Sequence, residues 1–364
     1  MKSNTVSVFY FMEKKMKVDI VIPTGGKGGV EKVVNIVAKY LINCGMKIRI
    51  VQMIKGNVKW HDETIPFFTI YENIEGHNVD TFVNGYVSFL SKNGKPDIVL
   101  ATNWPLMSFV CKKACENENI KIVSWIHNQI DRYAADNRGG MELLSYADAH
   151  LAICKDIYDT IEKTIQKNNV FLVHNPVERV GAELKKANNT NTLVYIGRIH
   201  KVKRLDFILT ILGVCKNWKL KIIGSGEEEL ENTLKEIAKE INVSDRVEWI
   251  GWVENPWDYA KSATALIMAS EFEGFPMVAL EASSMGLPII STSVSGINEY
   301  VENYKNGYIY NKGDLVQVSN YLLDIEENLV DIPDPAICRK SVEVFSKENV
   351  CKNIKNVLLL MRDW

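Results

Sequence analysis

The sequence is short of the features that mark special environments, and each shortage excludes something. Its seven cysteines stand at 44, 111, 115, 154, 215, 338 and 351, at irregular gaps and with no CxxC pair. Neither a zinc ribbon nor a disulfide scaffold fits that spacing, and a reducing compartment does. No uninterrupted apolar run approaches the roughly 20 residues that a spanning helix needs. The apolar stretch Val6–Phe11 is short and lacks a small-residue cleavage site, so a secretory signal is not expected. Neither sign of charge dominates: 43 basic and 45 acidic residues leave a formal net charge of −2. Such a balance gives no global attraction to nucleic acid or to an acidic bilayer. Low-complexity tracts and close repeats are also missing.

What is present is a long, well-filled chain. It has 364 residues, 46% of them hydrophobic, which is ample for packed cores. Domains cluster near roughly 100–150 residues, so two are expected. The pattern alternates strand and helix. Val18–Ile22 is a β-branched run, followed by Gly25, Gly26, Gly28 and Gly29. Val30, Val33, Val34, Val37 and Leu41 then recur at helical spacing, and Gly45 ends that helix. Further strands are read at Lys47–Met53, Asp97–Ala101, Ile120–Ile126, Ala149–Ile153 and Asn169–Val173. The apolar pattern lapses over 176–192, which reads as an interdomain linker. It restarts with strands at Thr192–Ile196, Leu220–Ile223, Val247–Ile250, Ala265–Met268 and Pro288–Ser291. Helices are expected at about 205–216, 227–241 and 275–285, and a last one over Lys347–Arg362. Such βαβ alternation predicts parallel sheets covered on both faces. The expected division is an extension at 1–15, a first domain at 16–180, a second at 181–346, and a terminal helix at 347–364 packing back on the first domain. Residues 1–180 carry 22 basic and 19 acidic residues, a slight excess that suits an anionic acceptor or ordinary surface variation alike.

Three segments can carry chemistry. The first is GGKGGVE at 25–31, between a strand and its helix. It is either a plain tight turn or a place where free N–H groups and the helix dipole receive an anion. It has neither the dinucleotide nor the P-loop spacing. The second is Gly197-Arg198-Ile199-His200-Lys201-Val202-Lys203-Arg204, at the carboxyl end of a strand, where open α/β sheets bind ligands. Four cations within seven residues form either a solvated basic loop or a grip for phosphate. The third is Ser270-Glu271-Phe272-Glu273-Gly274-Phe275-Pro276-Met277-Val278-Ala279-Leu280-Glu281-Ala282. Gly-Phe-Pro marks a turn into a helix, leaving the N–H groups of Phe275, Met277 and Val278 free to meet a ligand. Glu273 and Glu281 suit sugar and ribose hydroxyls better than phosphate. Alone, either one reads as a surface or helix-dipole carboxylate. His127 ends a strand at its carboxyl edge and reads alone as structural, as do His150, His174, Trp218 and Trp249. Asn103 ends another strand.

In that order GGVE, GRIHKVK and the E-x7-E element in EFEGFPMVALEA resemble the family-four retaining glycosyltransferases. The segments WIGW with Pro256-Trp257, Ser291–Gly296 and Asn175-Pro176-Val177 resemble its lipopolysaccharide core α-1,6-galactosyltransferases. The resemblance runs over essentially the whole chain from Met16. It implies an α/β chain of the GT-B fold: two doubly wound, Rossmann-like domains facing a central cleft. It further implies a UDP-hexose donor, with galactose ahead of glucose and N-acetylglucosamine. A glycan or lipid-linked acceptor in cell-surface polysaccharide synthesis follows, with no cofactor, no metal and no nucleic acid. The setting would be cytoplasmic, with peripheral contact to the inner membrane face.

Carried onto this sequence, the resemblance assigns Arg198 and Lys203 to the diphosphate and to the charge on departing UDP. Gly28 and Gly29 would approach that diphosphate from the other domain. Glu273 would stand beside the hexose, with Phe275, Pro276, Met277 and Val278 presenting backbone to sugar and phosphate. Glu281 would take the ribose hydroxyls. Gly224, Trp252 and Val253 would frame the nucleotide, His127 would face the donor's C6 hydroxyl, and Asn103 would touch donor or acceptor. Where the family usually has glycine after the lysine, this chain has Arg204, which would crowd or reinforce the phosphate site. Two other readings stand beside this one: an enzyme like UDP-N-acetylglucosamine 2-epimerase, and a nucleotide-sugar-binding scaffold subunit. The E-x7-E block and the GRxxxxK element argue against the first, and the intact Arg198, Lys203 and glutamates against the second.

Overall fold

A computed structural model describes residues 15–26, 28–56, 58–73, 78–165, 169–178 and 190–364. The extension before Lys15, Lys27 of the glycine loop and most of the linker lie outside these residues. The chain builds two parallel sheets, each with helices on both faces. The first contains β1 (Lys17–Ile22), β2 (Lys47–Ile54), β3 (Phe67–Tyr71), β4 (Ile98–Thr102), β5 (Lys121–Ile126), β6 (Ala149–Ala152) and β7 (Val170–Leu172). Its order is β3-β2-β1-β4-β5-β6-β7. The second contains β8 (Thr192–Ile196), β9 (Lys219–Ile223), β10 (Val247–Gly251), β11 (Ala265–Met268), β12 (Ile289–Thr292) and β13 (Gly307–Tyr310), in the order β10-β9-β8-β11-β12-β13. In both sheets the order reverses beside the first strand. The crevice beyond the carboxyl ends of such strands is where this topology receives ligands.

The central strands are nearly continuous Val, Ile and Leu because both their faces are covered; Ile20, Val21, Ile50, Val99 and Leu100 are fully buried. Two strands escape the sequence pattern. Phe67–Tyr71 is half-buried along its whole length at the sheet edge, so no alternation betrays it. Gly307–Tyr310 has only four residues. The helices Leu315–Glu326 and Pro335–Ser341 were likewise not anticipated.

The interdomain passage is tighter than a polar linker suggests. Val177 forms a parallel bridge with Ser346. Its N–H donates to the Phe345 carbonyl at 2.8 Å, and the Lys347 N–H donates to the Val177 carbonyl at 3.1 Å. The chain therefore crosses between the domains twice, side by side. Helix 347–363 then packs on helix 29–43 and on β4 of the first domain, burying Val350, Cys351, Ile354, Val357, Leu358 and Met361. An aromatic cluster fills the junction. The Phe275 ring lies 5.7 Å from Tyr300 and 5.6 Å from Phe345, centroid to centroid. Fully burying each such side chain is worth roughly 1.5–3 kcal/mol, so this cluster helps to fix the junction.

Candidate functional site

The glycine loop begins where β1 ends, and its shape is set by close backbone contacts. A Cβ on Gly25 would stand 2.0 Å from the Trp60 indole nitrogen, and one on Gly56 would stand 1.9 Å from the Gly25 carbonyl oxygen. Trp60 is fixed in turn by its N–H to Gln52 Oε1 at 2.6 Å. Glu31, in the first turn of helix 29–43, curls back to accept the Gly26 N–H at 2.7 Å. Burial raises its pKa above the ordinary carboxylate value, against the backbone hydrogen bonds that lower it. Gly28 is the N-cap of the helix, and the Glu31 carboxylate lies over this helix start: a Cβ on Gly28 would stand 2.8 Å from Glu31 Oε2.

From the other domain, helix 277–285 faces this loop. A Cβ on Gly29 would come 3.2 Å from Met277 Cγ. One turn further along each helix, the Lys32 ammonium donates to Glu281 Oε1 at 2.6 Å. The two helices thus lie side by side with their amino ends level. Aligned dipoles of one hand repel, and an anion placed between the two positive ends relieves that repulsion. The N–H groups of Phe275, Met277 and Val278 have no acceptor among the described residues, whereas those of Ala279 and Leu280 donate to the Pro276 carbonyl.

The cationic loop follows β8. Its backbone is tied to the acidic loop: the Glu271 N–H donates to the Val202 carbonyl at 2.9 Å. Lys203 reaches Glu273 Oε1 at 2.5 Å, and the buried Ser270 hydroxyl donates to the same oxygen at 2.8 Å. Arg198 is exposed, with no carboxylate partner among the described residues. The Tyr195 hydroxyl donates to the Arg198 carbonyl at 2.7 Å. Burial raises the Tyr195 pKa, with the Glu273 charge adding to the rise and Arg198 opposing it. Arg204 joins the cationic loop to the acidic loop through Glu271. Its backbone is left-handed, with φ of 51°, a conformation glycine adopts without cost. Its guanidinium pairs with Asp206 and Glu271.

The floor of the second-domain half is backbone. A Cβ on Gly224 would stand 1.9 Å from the Gly197 carbonyl oxygen, so β8 and β9 end in close backbone contact. Trp252 and Val253 follow β10; Trp252 is exposed and Val253 half-buried.

His127 sits where the two domains touch. A Cβ on Gly274 would stand 2.1 Å from the His127 carbonyl oxygen. The ring is 6% exposed, neither nitrogen has a hydrogen-bond partner, and burial pushes its pKa down to about 3. The ring is therefore neutral, and with both nitrogens buried it can offer its one donor and one acceptor to a ligand hydroxyl only when the seam parts. Asn103, with φ of 74°, accepts from the Tyr133 hydroxyl at 2.6 Å. Arg132 of helix 130–135 lies over the Phe272 ring at 4.0 Å, one of several side-chain contacts between the domains. By contrast, His150 is buried structure, its Nδ1 2.7 Å from the Ser124 hydroxyl.

The structure thus gathers Gly28, Gly29, Met277, Glu281, Lys203, Glu273, Gly274 and His127 along one interdomain seam. Arg198, Gly224 and Trp252 stand at the strand ends of the second sheet. Sequence reasoning missed Lys32, Gly56, Trp60 and Arg132. Lys32 alone had a signal: it lies one turn past Gly29 in the quoted motif. Among the described residues no cluster of three His, Cys, Asp or Glu could hold a metal, and no helix is long and apolar enough to cross a membrane.

Comparison with known proteins fits this geometry. Residues 177–337 match the family model "Glycosyl transferases group 1". The lipopolysaccharide 1,6-galactosyltransferase of Escherichia coli (strain K12) is 31% identical over 233 residues, 61% of this chain and 63% of that protein. The chain thus matches less than two thirds of that relative's length. An uncharacterized glycosyltransferase of Haemophilus influenzae is 27% identical over 361 residues, 92% of this chain and 97% of that protein. Among solved structures, lipopolysaccharide outer core galactosyltransferase WaaB in its apo form superposes with a TM-score of 0.80 at 25% identity. It covers 95% of this chain and 99% of that one. Anabaena Alr3699/HepE, in complex with UDP and glucose, superposes over 95% of this chain and all of its own, with a TM-score of 0.79 at 16% identity. The two parallel sheets are those of the GT-B fold, and the resemblance carried by GGVE, GRIHKVK and EFEGFPMVALEA is met by these relatives.

Proposed function

We propose that this chain, which carries a group 1 glycosyltransferase domain on a GT-B scaffold, is a retaining hexosyltransferase. It moves a hexose, galactose first, from a UDP-sugar to a glycan or lipid-linked acceptor. The observation that carries the reading is the meeting of two helix amino ends, with Lys203 held on Glu273 four residues before one of them. That is a cradle for a diphosphate, built from both domains. HepE binds UDP and UDP-glucose, by the descriptions of its solved complexes, and WaaB is a galactosyltransferase by name. The galactose in this reading follows WaaB's name, and the UDP donor follows the resemblance carried by GRIHKVK and E-x7-E.

In this reading the diphosphate draws Lys203 from Glu273 and engages the free Arg198. The N–H groups of Phe275, Met277 and Val278 meet its oxygens and those of the sugar. Negative charge grows on the β-phosphate as the bond to the anomeric carbon breaks. Fixed cations and dipoles aimed there stabilise the transition state more than the ground state. Glu273, released from Lys203, turns an oxygen to the hexose hydroxyls, and neutral His127 meets the C6 hydroxyl. The acceptor oxygen bonds to the anomeric carbon on the face that UDP leaves, its proton passing to the departing β-phosphate oxygen, so the configuration is retained. Glu281 holds the ribose, and Trp252 and Val253 flank the base. Asn103 and the first-domain loops receive the acceptor, at the inner face of the membrane if that acceptor is lipid-linked.

The test is a melting-temperature panel with UDP, UDP-galactose, UDP-glucose, UDP-N-acetylglucosamine and GDP-mannose. A ligand that binds only the folded chain raises the melting temperature by mass action. The expected result is a rise with UDP and with UDP-galactose above the other sugars, followed by UDP release from that sugar alone. A rise with GDP-mannose only, or with none, overturns the donor assignment.

A further inference from the structure

Glu281 cannot act alone, and its partner comes from the opposite domain. A carboxylate beside a diphosphate cradle repels the ligand it is meant to help hold, unless its charge is met. Within the second domain nothing meets it: among the described residues the one ion pair of Glu281 is with Lys32. Lys32 belongs to the first domain, one turn past Gly29, and reaches across the seam to Oε1 at 2.6 Å. The pair is partly shielded, with side-chain exposure of 40% for Lys32 and 13% for Glu281. Oε2 has no partner among the described residues. A carboxylate accepts at both oxygens, so Oε2 remains available for a hydroxyl while Oε1 is held.

From this geometry we infer that Lys32 is the positioning residue for nucleotide recognition. It fixes the Glu281 carboxylate and cancels its charge, so that ribose is read in full only when the first domain lies against the second. The inference rests on the reading of Glu281 as the ribose acceptor. Lys32 itself touches neither ribose nor base; it makes the second domain's contact depend on the first. Discrimination for ribose over deoxyribose then becomes a property of the interdomain seam. Lys32→Met keeps the apolar stem and removes the charge.

The experiment measures UDP and 2′-deoxy-UDP binding by calorimetry to the full chain and to Lys32→Met, Lys32→Arg, Glu281→Gln and the double variant Lys32→Met/Glu281→Gln. A hydrogen bond to a charged acceptor makes the 2′-deoxy ligand bind the unaltered chain roughly tenfold more weakly. Lys32→Met is expected to weaken UDP about three- to fivefold and to shrink the deoxy ratio toward the Glu281→Gln value. Lys32→Arg restores the ratio, and the double variant matches Glu281→Gln alone, because the two residues act as one unit. Melting temperatures of all variants separate this effect from misfolding. If Lys32→Met keeps the full deoxy ratio, or the two substitutions add, the inference is overturned while the function stands. If the unaltered chain binds UDP but shows no deoxy penalty, the Glu281 reading falls and the inference falls with it. If it binds no UDP at all, the proposed function itself has failed.

Discussion

Replacing His127 with asparagine should remove an acid-sensitive contribution to stability. The imidazole is 6% exposed and neither ring nitrogen has a partner, so its charged form has nothing to compensate lost hydration. Burial therefore holds its pKa at about 3, against roughly 6.5 in an unfolded chain. The sign follows from proton counts. Between these values the unfolded chain binds a proton that the folded chain does not, so stability rises with pH across the window. It is complete above roughly pH 7 and is lost as pH falls from about 6.5 toward 3. Each pH unit inside the window is worth about 1.4 kcal/mol. At pH 5 the loss from this one group reaches about 2 kcal/mol, a large share of an ordinary folding free energy. Urea denaturation of the unaltered chain and of His127→Asn, at pH 7.5 and at pH 5, isolates the effect, because other titrating groups cancel in the difference. The stability gap between the two chains should shift by about 2 kcal/mol against the unaltered chain on acidification. An unchanged gap would show that the ring titrates normally and is not sealed at the seam.

Other substitutions probe neighbouring parts of the same seam. Lys203→Ala should lower turnover by roughly 10²–10³, the usual cost of one preorganised electrostatic donor, read as UDP release at saturating sugar nucleotide; unchanged turnover sinks the leaving-group role. Gly274→Ala would place a methyl 2.1 Å from the His127 carbonyl oxygen. It should cost about 1–3 kcal/mol by overpacking and abolish turnover by wedging the domains, so a variant of normal melting temperature and rate contradicts the close approach. Arg204→Gly should leave turnover unchanged. It relieves a left-handed backbone at a gain of about 1–3 kcal/mol and forfeits half-exposed ion pairs worth about 0–1 kcal/mol each. A net loss of melting temperature would show that those pairs matter more than the backbone.

Legibility followed the physics of each element. Strands buried on both faces announce themselves as runs of Val and Ile, so β1, β8 and β11 could be read to within a residue. Phe67–Tyr71 was passed over: its run FFTIY is short, follows Pro66 directly and lacks the alternation that marks an edge strand. Among the candidate site residues, Arg198, Lys203, Glu273 and Glu281 were proposed through the family resemblance that GRIHKVK and E-x7-E carry, not through any pattern of their own. Their partners were not. Lys32 and Glu281 are 249 residues apart in sequence, and nothing local to either says that they meet. Trp60 and Gly56 were missed for the same reason: they shape the glycine loop from a different segment. Arg204 shows the converse. Its departure from glycine was visible, but only the structure shows that its guanidinium pairs with Asp206 and Glu271.

The double crossing at Val177 and Ser346 has a consequence for how the chain is made. The first sheet and its flanking helices are synthesised early, yet the surface of helix 29–43 is finished only by helix 347–363. During vectorial synthesis the early half must wait, with an apolar face uncovered, until residues from the far end of the chain have left the ribosome. Domains that fold as they emerge do not wait in this way. Here the second domain can close first, and the first domain is sealed last. Translation that stops near residue 340 would therefore cost the half that was already complete in sequence, and such products should be the ones that chaperones hold and proteases clear.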